Sequence, residues 1–271
     1  LREGVPAVPD GEWTAFWPAF DIVIALPISW APLAADYARH SRSRAAAFGG
    51  AAVGYSLASI VYFVLGVLAV LTIAGAGEAF TPTDFVPALL ALPAGAVALV
   101  VLLVDEVDEA FANVYSTAMS TQNLVPRWDR RVIAVVVGVL ATALALLVDL
   151  VAYESFLFLI GAVFVPLMVM LVVDWFVVRR LVGGEAGAGW SVTDPGPGRW
   201  LMLLPWAAGF AAYNLVNPGL VEGWAAVWTS WRESLGFVPP TWLSASLLSA
   251  AVAAVLTLAV GIPLARRAAA R

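Results

Sequence analysis

The segment FVPALLALPAGAVALVVLLVDEVDEAFANVYSTAMSTQNLVP, residues 85–126, decides how this chain is organised. As one helix it would extend about 60 Å at about 1.5 Å per residue. That is about twice the hydrocarbon thickness of a bilayer, which is about 30 Å. Pro87 and Pro93 divide the segment, because proline interrupts a helix. We therefore predict a short outer helix over Phe85–Leu92 and a membrane span over residues 94–121.

Four acidic residues then lie near the middle of the membrane, and they are Asp105, Glu106, Asp108 and Glu109. One carboxylate at that depth costs about 2.5–3.5 kcal/mol on insertion scales. At about 100° per residue, Asp105 and Glu109 share one helical stripe with Ser116. Val107 and Phe111 lie on the opposite, apolar face. The polar face must look into the helix bundle or into a hydrated cavity.

Carboxylates this close to one another cannot all be ionised without a counter-charge. We expect at least one of them to be protonated near neutral pH, so that the cluster can carry a proton or accept a cation in exchange. Either event couples the movement of a polar solute to an ion gradient. The alternative is that the four acids only solvate a vestibule open to the cytoplasm.

The composition is that of a membrane protein, with 62% hydrophobic and 12% charged residues, whereas soluble domains carry about 25% charged residues. Stretches of about 20 apolar residues span a bilayer. Seven such spans are predicted, at roughly residues 15–37, 45–74, 94–121, 132–150, 155–178, 200–217 and 242–264. The absence of cysteine excludes disulfides and thiolate metal sites in this sequence.

The arginines predict the orientation of the chain in the membrane. All 14 basic residues are arginine, and 12 of them lie after the first, third, fifth and seventh spans. By the positive-inside rule, the N-terminus is outside and the C-terminus is cytoplasmic. We expect a single transmembrane domain over residues 1–271 in the cytoplasmic membrane. Because the chain starts outside and has an odd number of spans, we expect it to be the C-terminal part of a longer protein.

The first span is interrupted by three prolines, Pro18, Pro27 and Pro32. We predict that the helix breaks within Leu26–Pro32, at the depth where transporters bind substrate with broken helices. Trp30 lies in this break, and its ring suits stacking on a planar ligand. The alternatives are a simple kink without a site and a tryptophan that only fills space in the core.

Three further features concern the ends of the spans. Trp224, Trp228 and Trp231 recur at helical spacing and predict a short helix lying in the membrane interface. Asp36 and Asp174 have an arginine close by in sequence, Arg39 and Arg179 respectively, and are interpreted as interfacial charges or local pairs. The sequence context assigns no role to Asp21.

Three segments resemble helices of the nucleobase:cation symporter-1 family. ISWAPLAADYAR, residues 28–39, resembles the sixth helix, and DEVDEAFANVYS, residues 105–116, resembles the eighth. VPLMVMLVVDWFVVRR, residues 165–180, is similar to the tenth. The resemblance implies that the chain corresponds to helices six to twelve of a leucine-transporter fold. That fold has two inverted five-helix repeats and two additional helices, and it works by alternating access around a mid-membrane site.

The resemblance also implies which residues bind substrate. Ser29 and Trp30 match substrate positions on the sixth helix. Asn113 matches an amide on the eighth helix that hydrogen-bonds the ring of the base, and Glu109 lies one turn before it. The acidic form of this helix looks most like the subgroup that carries hydroxymethylpyrimidine.

One departure from the family pattern concerns the coupling ion. Sodium-coupled relatives have small hydroxyl residues about five positions before the asparagine, where this chain has Val107 and Asp108. Proton coupling is therefore an alternative to sodium coupling. We assign Asp105 and Asp108 to the binding of the coupling ion, H⁺ or Na⁺.

The sequence thus predicts a secondary active transporter of a small pyrimidine-like compound, in first place hydroxymethylpyrimidine, a thiamine precursor. A permease for cytosine, purines, allantoin or hydantoin is the alternative within the family. From another class, a membrane-embedded enzyme could hold a metal with its carboxylates, although the sequence has no paired histidines. We assign no catalytic residue, resident metal, cofactor or nucleic-acid partner.

Overall fold

The computed structural model describes residues 16–31, 33–34, 38, 40–74, 85–91, 93–147, 150–183, 199–219 and 221–269. Within these ranges every regular element is helical. The α-helices are α1 Phe16–Ser29, α2 Arg44–Ala74, α3 Phe85–Ala91, α4 Gly95–Leu124, α5 Arg130–Leu147, α6 Leu150–Val173, α7 Leu203–Val216, α8 Glu222–Ser234 and α9 Ala245–Ala269. A π-helical turn, Asp174–Val178, and a last α-helical turn, Arg179–Leu181, continue α6, and a 3₁₀ turn, Trp200–Met202, precedes α7.

The predicted fold class, an all-helical polytopic membrane protein, is confirmed. Four helical segments are long and apolar enough to cross a bilayer: Arg44–Val67, Arg130–Leu147, Phe156–Leu181 and Ala245–Arg267. Two shorter apolar helices, Phe16–Ser29 and Trp200–Val216, correspond to the first and sixth predicted spans. The remaining predicted span is α4, which has 30 residues and therefore a length of about 45 Å, but carries the four acids.

The chain forms two compact units. The first contains α2 to α5, and the second contains α1 together with α6 to α9. The chain passes from the second unit to the first between Pro32 and Leu33, next to the predicted break in the first span. Each unit is described by itself below.

In the first unit, the predicted division of the segment 85–126 is confirmed. α3 ends at Ala91 and α4 begins at Gly95. Between them, Ala94 adopts a left-handed conformation with φ of 64°. Position 95 requires glycine, because a Cβ atom there would overlap the carbonyl oxygen of Leu89. A tight turn therefore separates the short helix from the long one, and α4 continues until its C-terminal part packs against α5.

The second unit is held together by small residues on α9. Buried positions recur every four residues along this helix: Ala245, Ser249, Ala253, Thr257 and Gly261. From α7, Gly209 approaches this stripe so closely that a Cβ atom would lie 3.1 Å from the Cβ of Ala253 and 2.5 Å from that of Pro166. Small residues at such spacing let membrane helices pack backbone to backbone. This explains why α7 and α9 form the closest pair in the unit.

The short helix predicted around the three tryptophans is present as α8, and its tryptophans lie on one face, while its place in the membrane interface stays a prediction. The rings of Trp224 and Trp228 are 5.6 Å apart between centroids, and those of Trp228 and Trp231 are 5.3 Å apart. This face also packs on protein. Trp228 is 7% exposed, and the Trp224 indole N–H donates to Oδ1 of Asn214 on α7 at 3.0 Å. The tryptophans therefore pack α8 against α7.

Candidate functional site

The first helix breaks where the sequence predicts. α1 ends at Ser29, and a turn follows in which the Trp30 N–H donates to the carbonyl of Pro27 at 3.3 Å. The Ser29 hydroxyl donates to the carbonyl of Leu26 at 2.6 Å. Proline at position 27 cannot donate a backbone hydrogen bond, which weakens the last turn. The span predicted over residues 15–37 is thus not one continuous helix.

Ser29 and Trp30, the two substrate positions implied by the sixth-helix resemblance, lie together at this helix end. Both side chains are half-buried within their unit. The Ser29 hydroxyl uses its proton on Leu26, so its oxygen can still accept a hydrogen bond. The carbonyl groups of Pro27 and Ile28 already accept backbone N–H groups of the turn that follows. The end of α1 therefore offers the Ser29 hydroxyl oxygen as a hydrogen-bond acceptor beside an aromatic ring.

The acidic helix, α4, carries all four carboxylates on one continuous helix. Asp105 lies ten residues after Gly95, about 15 Å along the axis, and its depth in the membrane stays a prediction. All four acidic side chains are exposed in their unit. On the opposite face, Val107 and Phe111 are each 68% exposed. Burial within this unit does not distinguish the two faces, so the hydrated cavity remains a prediction.

Asn113 and Glu109 are linked by the geometry of α4. The Asn113 side-chain N–H donates to the backbone carbonyl of Glu109 at 3.1 Å. This bond uses one of the two N–H groups of the amide and holds the side chain over the preceding turn. The amide and the Glu109 carboxylate are therefore neighbours on one face, as predicted from their spacing.

A tyrosine that sequence reasoning did not select lies near this pair. Tyr55, on α2 of the same unit, is close enough to Glu109 for the two groups to interact electrostatically, and its side chain also bonds Ser59. The sequence signal that could have identified Tyr55 was a phenol side chain within an otherwise apolar span. Tyr55 thus places a hydroxyl group near the Glu109 carboxylate.

A second residue left unassigned by its sequence context, Asp21, is buried in the second unit. Its side chain is 3% exposed. It accepts hydrogen bonds from the Ser244 hydroxyl at 2.6 Å, from the Ala245 N–H at 2.9 Å and from the Ser246 N–H at 3.0 Å. The sequence signal for Asp21 was a single acidic residue within the apolar sequence of α1. Its partners could not be identified in this way, because they lie more than 220 positions away.

The local pair predicted for Asp174 is present, but a second arginine lies closer to the carboxylate. Oδ2 of Asp174 lies 4.0 Å from Arg179 Nε and 2.8 Å from Arg199 Nη1. Arg179 also places its guanidinium over the Trp175 ring, 4.6 Å from the centroid. The π-helical turn that begins at Asp174 changes the spacing expected for an α-helix. Asp36, Arg39 and Asp149 lie outside the described residues.

The predicted site residues fall into two groups. Asp105, Asp108, Glu109 and Asn113 are together on α4 in the first unit, and Ser29 and Trp30 are together at the end of α1 in the second. That the two groups enclose one substrate site remains a prediction. A shallow apolar depression on α5 involves neither group, since it is lined by Val135, Gly138, Val139, Thr142, Ala143 and Leu146. In the described part of the chain, no three acidic or histidine side chains converge as metal ligands.

Comparison with known families identifies the class of protein. A family model described as a permease for cytosine/purines, uracil, thiamine and allantoin matches residues 4–184, about two thirds of the chain. This is a family of transporters of small heterocyclic compounds and not of enzymes, so the carboxylate-metal enzyme considered from the sequence is set aside. Neither the curated proteins nor the solved structures contain a match. The chain, a multi-pass membrane protein, therefore belongs to the family of permeases for cytosine and purines, uracil, thiamine and allantoin.

Proposed function

We propose that this protein carries a planar, amino-substituted pyrimidine, in first place hydroxymethylpyrimidine, across the cytoplasmic membrane by secondary active transport. In this proposal the C-terminus lies on the cytoplasmic side, and the chain supplies helices six to twelve of a leucine-transporter fold. The observation that carries the proposal is the end of α1 at Ser29, directly before Trp30, within a span of a permease. Broken helices of this kind bind substrate in other secondary transporters.

The end of α1 suits an aromatic nitrogen heterocycle. In our proposal, the Trp30 ring stacks on the face of the pyrimidine, an interaction worth about 1–3 kcal/mol for a nucleic-acid base. The Ser29 oxygen accepts a hydrogen bond from the edge of the ring. The negative end of the helix dipole also favours a ligand that carries N–H groups, or a cation next to it.

Glu109 and Asn113 provide the hydrogen-bonding groups that an edge of a pyrimidine ring requires. A carboxylate accepts hydrogen bonds only, whereas an amide both donates and accepts. Glu109 would bind an exocyclic amino group, and Asn113, held over the Glu109 turn, would bind a ring nitrogen. This favours hydroxymethylpyrimidine or cytosine over hydantoin, whose exocyclic groups are carbonyl oxygens and cannot donate to a carboxylate.

Coupling is assigned to the two remaining acids of this face. Asp105 and Asp108 are exposed side chains on α4, three residues apart and so neighbours on the helix surface. Proton coupling is favoured, because two adjacent carboxylates in a membrane share a proton readily and because Val107 stands where sodium-coupled relatives have a hydroxyl. Sodium remains the alternative ion.

Uptake by the full-length transporter in proteoliposomes tests the substrate assignment. Labelled hydroxymethylpyrimidine should accumulate unmodified, and unlabelled cytosine should compete better than hydantoin. Glu109→Gln should raise the KM about tenfold, since a hydrogen bond to a charged group contributes about 1.5–3 kcal/mol. Glu106→Gln, on the flank of the same helix, is the matched control and should change the KM little. Stronger competition by hydantoin than by cytosine would contradict the proposal.

A further inference from the structure

Asp21 is a buried carboxylate in a membrane helix, and its environment differs from that of every acid on α4. It lies in α1, where the buried residues are Asp21 and Ala25, one turn apart. Ala25 is fully buried and provides only a methyl group for packing. The hydrogen-bonded carboxylate is therefore the specific contact that α1 makes with α9, the helix against which it packs.

The carboxylate binds the N-terminus of α9. Oδ1 accepts from the Ser244 hydroxyl and the Ser246 N–H, and Oδ2 accepts from the Ala245 N–H. Ser244 in turn accepts a hydrogen bond from the Leu247 N–H at 3.1 Å. The first N–H groups of a helix have no partner within it and carry partial positive charge, so they favour an anion. Asp21 thus caps α9 from another helix.

A buried tyrosine of another helix lies near this contact. Tyr213, on α7, is fully buried, and its hydroxyl is close enough to Asp21 and Ser246 to interact electrostatically with both. The same hydroxyl lies close to Gly161 on α6, where a Cβ atom would be 2.7 Å from it. Asp21 therefore lies beside a tightly packed part of the second unit, at the start of α9.

We infer that Asp21 is a positioning residue, which anchors α1 on α9 and so fixes where Ser29 and Trp30 lie. The inference rests on the proposed substrate role of those two residues. Ser29 is eight residues after Asp21 on one continuous helix, about 12 Å away along its axis. A register slip of one residue would move the end of α1 by about 1.5 Å and rotate it by about 100°. Displacements of about 1 Å can cost a reacting or binding site about 100-fold.

The test uses Asp21→Asn in the full-length transporter. Asparagine keeps one acceptor oxygen but turns an N–H₂ group toward the N–H donors of α9. We expect the substrate KM to rise about five- to tenfold through misplacement of the α1 end.

The second measurement, the rate of thiol labelling near Trp30, needs no substrate. These 271 residues contain no cysteine, so Ala31→Cys introduces one thiol beside Trp30, any cysteines elsewhere in the full-length protein being replaced. Its maleimide labelling rate should change severalfold with Asp21→Asn.

Asp129→Asn is the matched control. Asp129 also caps a helix N-terminus, because its Oδ1 accepts the Arg131 N–H at 2.7 Å, but it is exposed and caps its own segment. This variant should lower the melting temperature without changing the KM or the labelling rate. The exchanged pair, Asp21→Ser with Ser244→Asp, keeps one hydroxyl and one carboxylate across the contact. It should recover both readouts relative to Asp21→Ser alone.

The outcomes separate the inference from the proposed function. If Asp21→Asn lowers the melting temperature but leaves labelling and KM unchanged, or if the exchanged pair recovers neither readout, the positioning role is overturned. If labelling changes and the KM does not, the anchoring of α1 is supported, and the proposed substrate role of Ser29 and Trp30 is overturned. Should Asp21→Asn fail to fold, Ser244→Ala removes one of the three hydrogen bonds and is measured in the same way.

Discussion

The acids of α4 and the acid of α1 look alike in sequence but have opposite environments. Each interrupts an apolar run. Asp21 is 3% exposed and accepts three hydrogen bonds from α9. Asp105, Asp108 and Glu109 are exposed within their unit. A carboxylate whose acceptor positions are filled by the protein holds helices together, whereas one without protein donors can serve a solute or an ion.

Asp174 is intermediate between these two cases. Oδ2 is paired with Arg199 at 2.8 Å, while Oδ1 is buried without a hydrogen-bond partner among the described residues. The carboxylate is held by Arg199, whose side chain is 36% exposed. The three environments predict that substitutions will change transport at α4 and stability around Asp21 and Asp174.

Removing the coupling charge on α4 should have the largest effect. With one proton per substrate, a membrane potential of 100 mV supplies about 2.3 kcal/mol, which supports about 50-fold accumulation. Asp108→Asn should reduce the accumulation ratio toward one, while exchange of labelled for unlabelled substrate continues. The measurement is uptake by proteoliposomes with and without an imposed potential and pH gradient. Undiminished accumulation would show that Asp108 does not carry the coupling ion, and the effect of Asp105→Asn would then decide the assignment.

Some features of the fold and of the candidate site could be predicted from the sequence, and some could not. The division of the segment 85–126 follows from two prolines and from a length that no bilayer accommodates, and the structure confirms it with α3 and α4. The end of α1 within Leu26–Pro32 follows from the spacing of prolines in the same way. The spacing of Glu109 and Asn113 on one helix face is also a local property.

Long-range partners could not be predicted, because periodicity carries no information about which helices meet. Asp21 is bound by residues at the start of α9, which lies outside the part of the chain matched by the family model. Asp174 was given the arginine nearest in sequence, yet its closer partner is 25 positions away. Tyr55 was overlooked for the same reason, since its proximity to Glu109 depends on how α2 and α4 pack.

Adding a methyl group next to the buried Tyr213 side chain should have an intermediate effect, and the property affected is stability. At Gly161, a Cβ atom would lie 2.7 Å from the Tyr213 hydroxyl, and overpacking of this kind costs about 1–3 kcal/mol. Gly161→Ala should therefore lower the melting temperature of the purified transporter. Gly138→Ala, on α5, is the matched control, because nothing lies within 4 Å of its Cβ position. Alanine there should be neutral or slightly stabilising through its higher helix propensity. Equal melting temperatures for the two variants would contradict the packing around Tyr213.

The smallest effect is expected at Asp174, and it separates its two arginines. Arg199 lies 2.8 Å from the carboxylate and Arg179 lies 4.0 Å from it, and partly exposed ion pairs contribute about 0.2–1 kcal/mol. Arg199→Gln should lower the melting temperature more than Arg179→Gln, and the difference should shrink at high salt, which screens the pair. Arg179→Lys serves as a further control, since lysine keeps the charge near Asp174 but loses the planar contact with Trp175. If Arg179→Gln lowers the melting temperature more than Arg199→Gln does, the stacking of Arg179 on Trp175 contributes more stability than the Arg199 ion pair. Asp174 would then be grouped with the acids of α4, which can serve a solute or an ion.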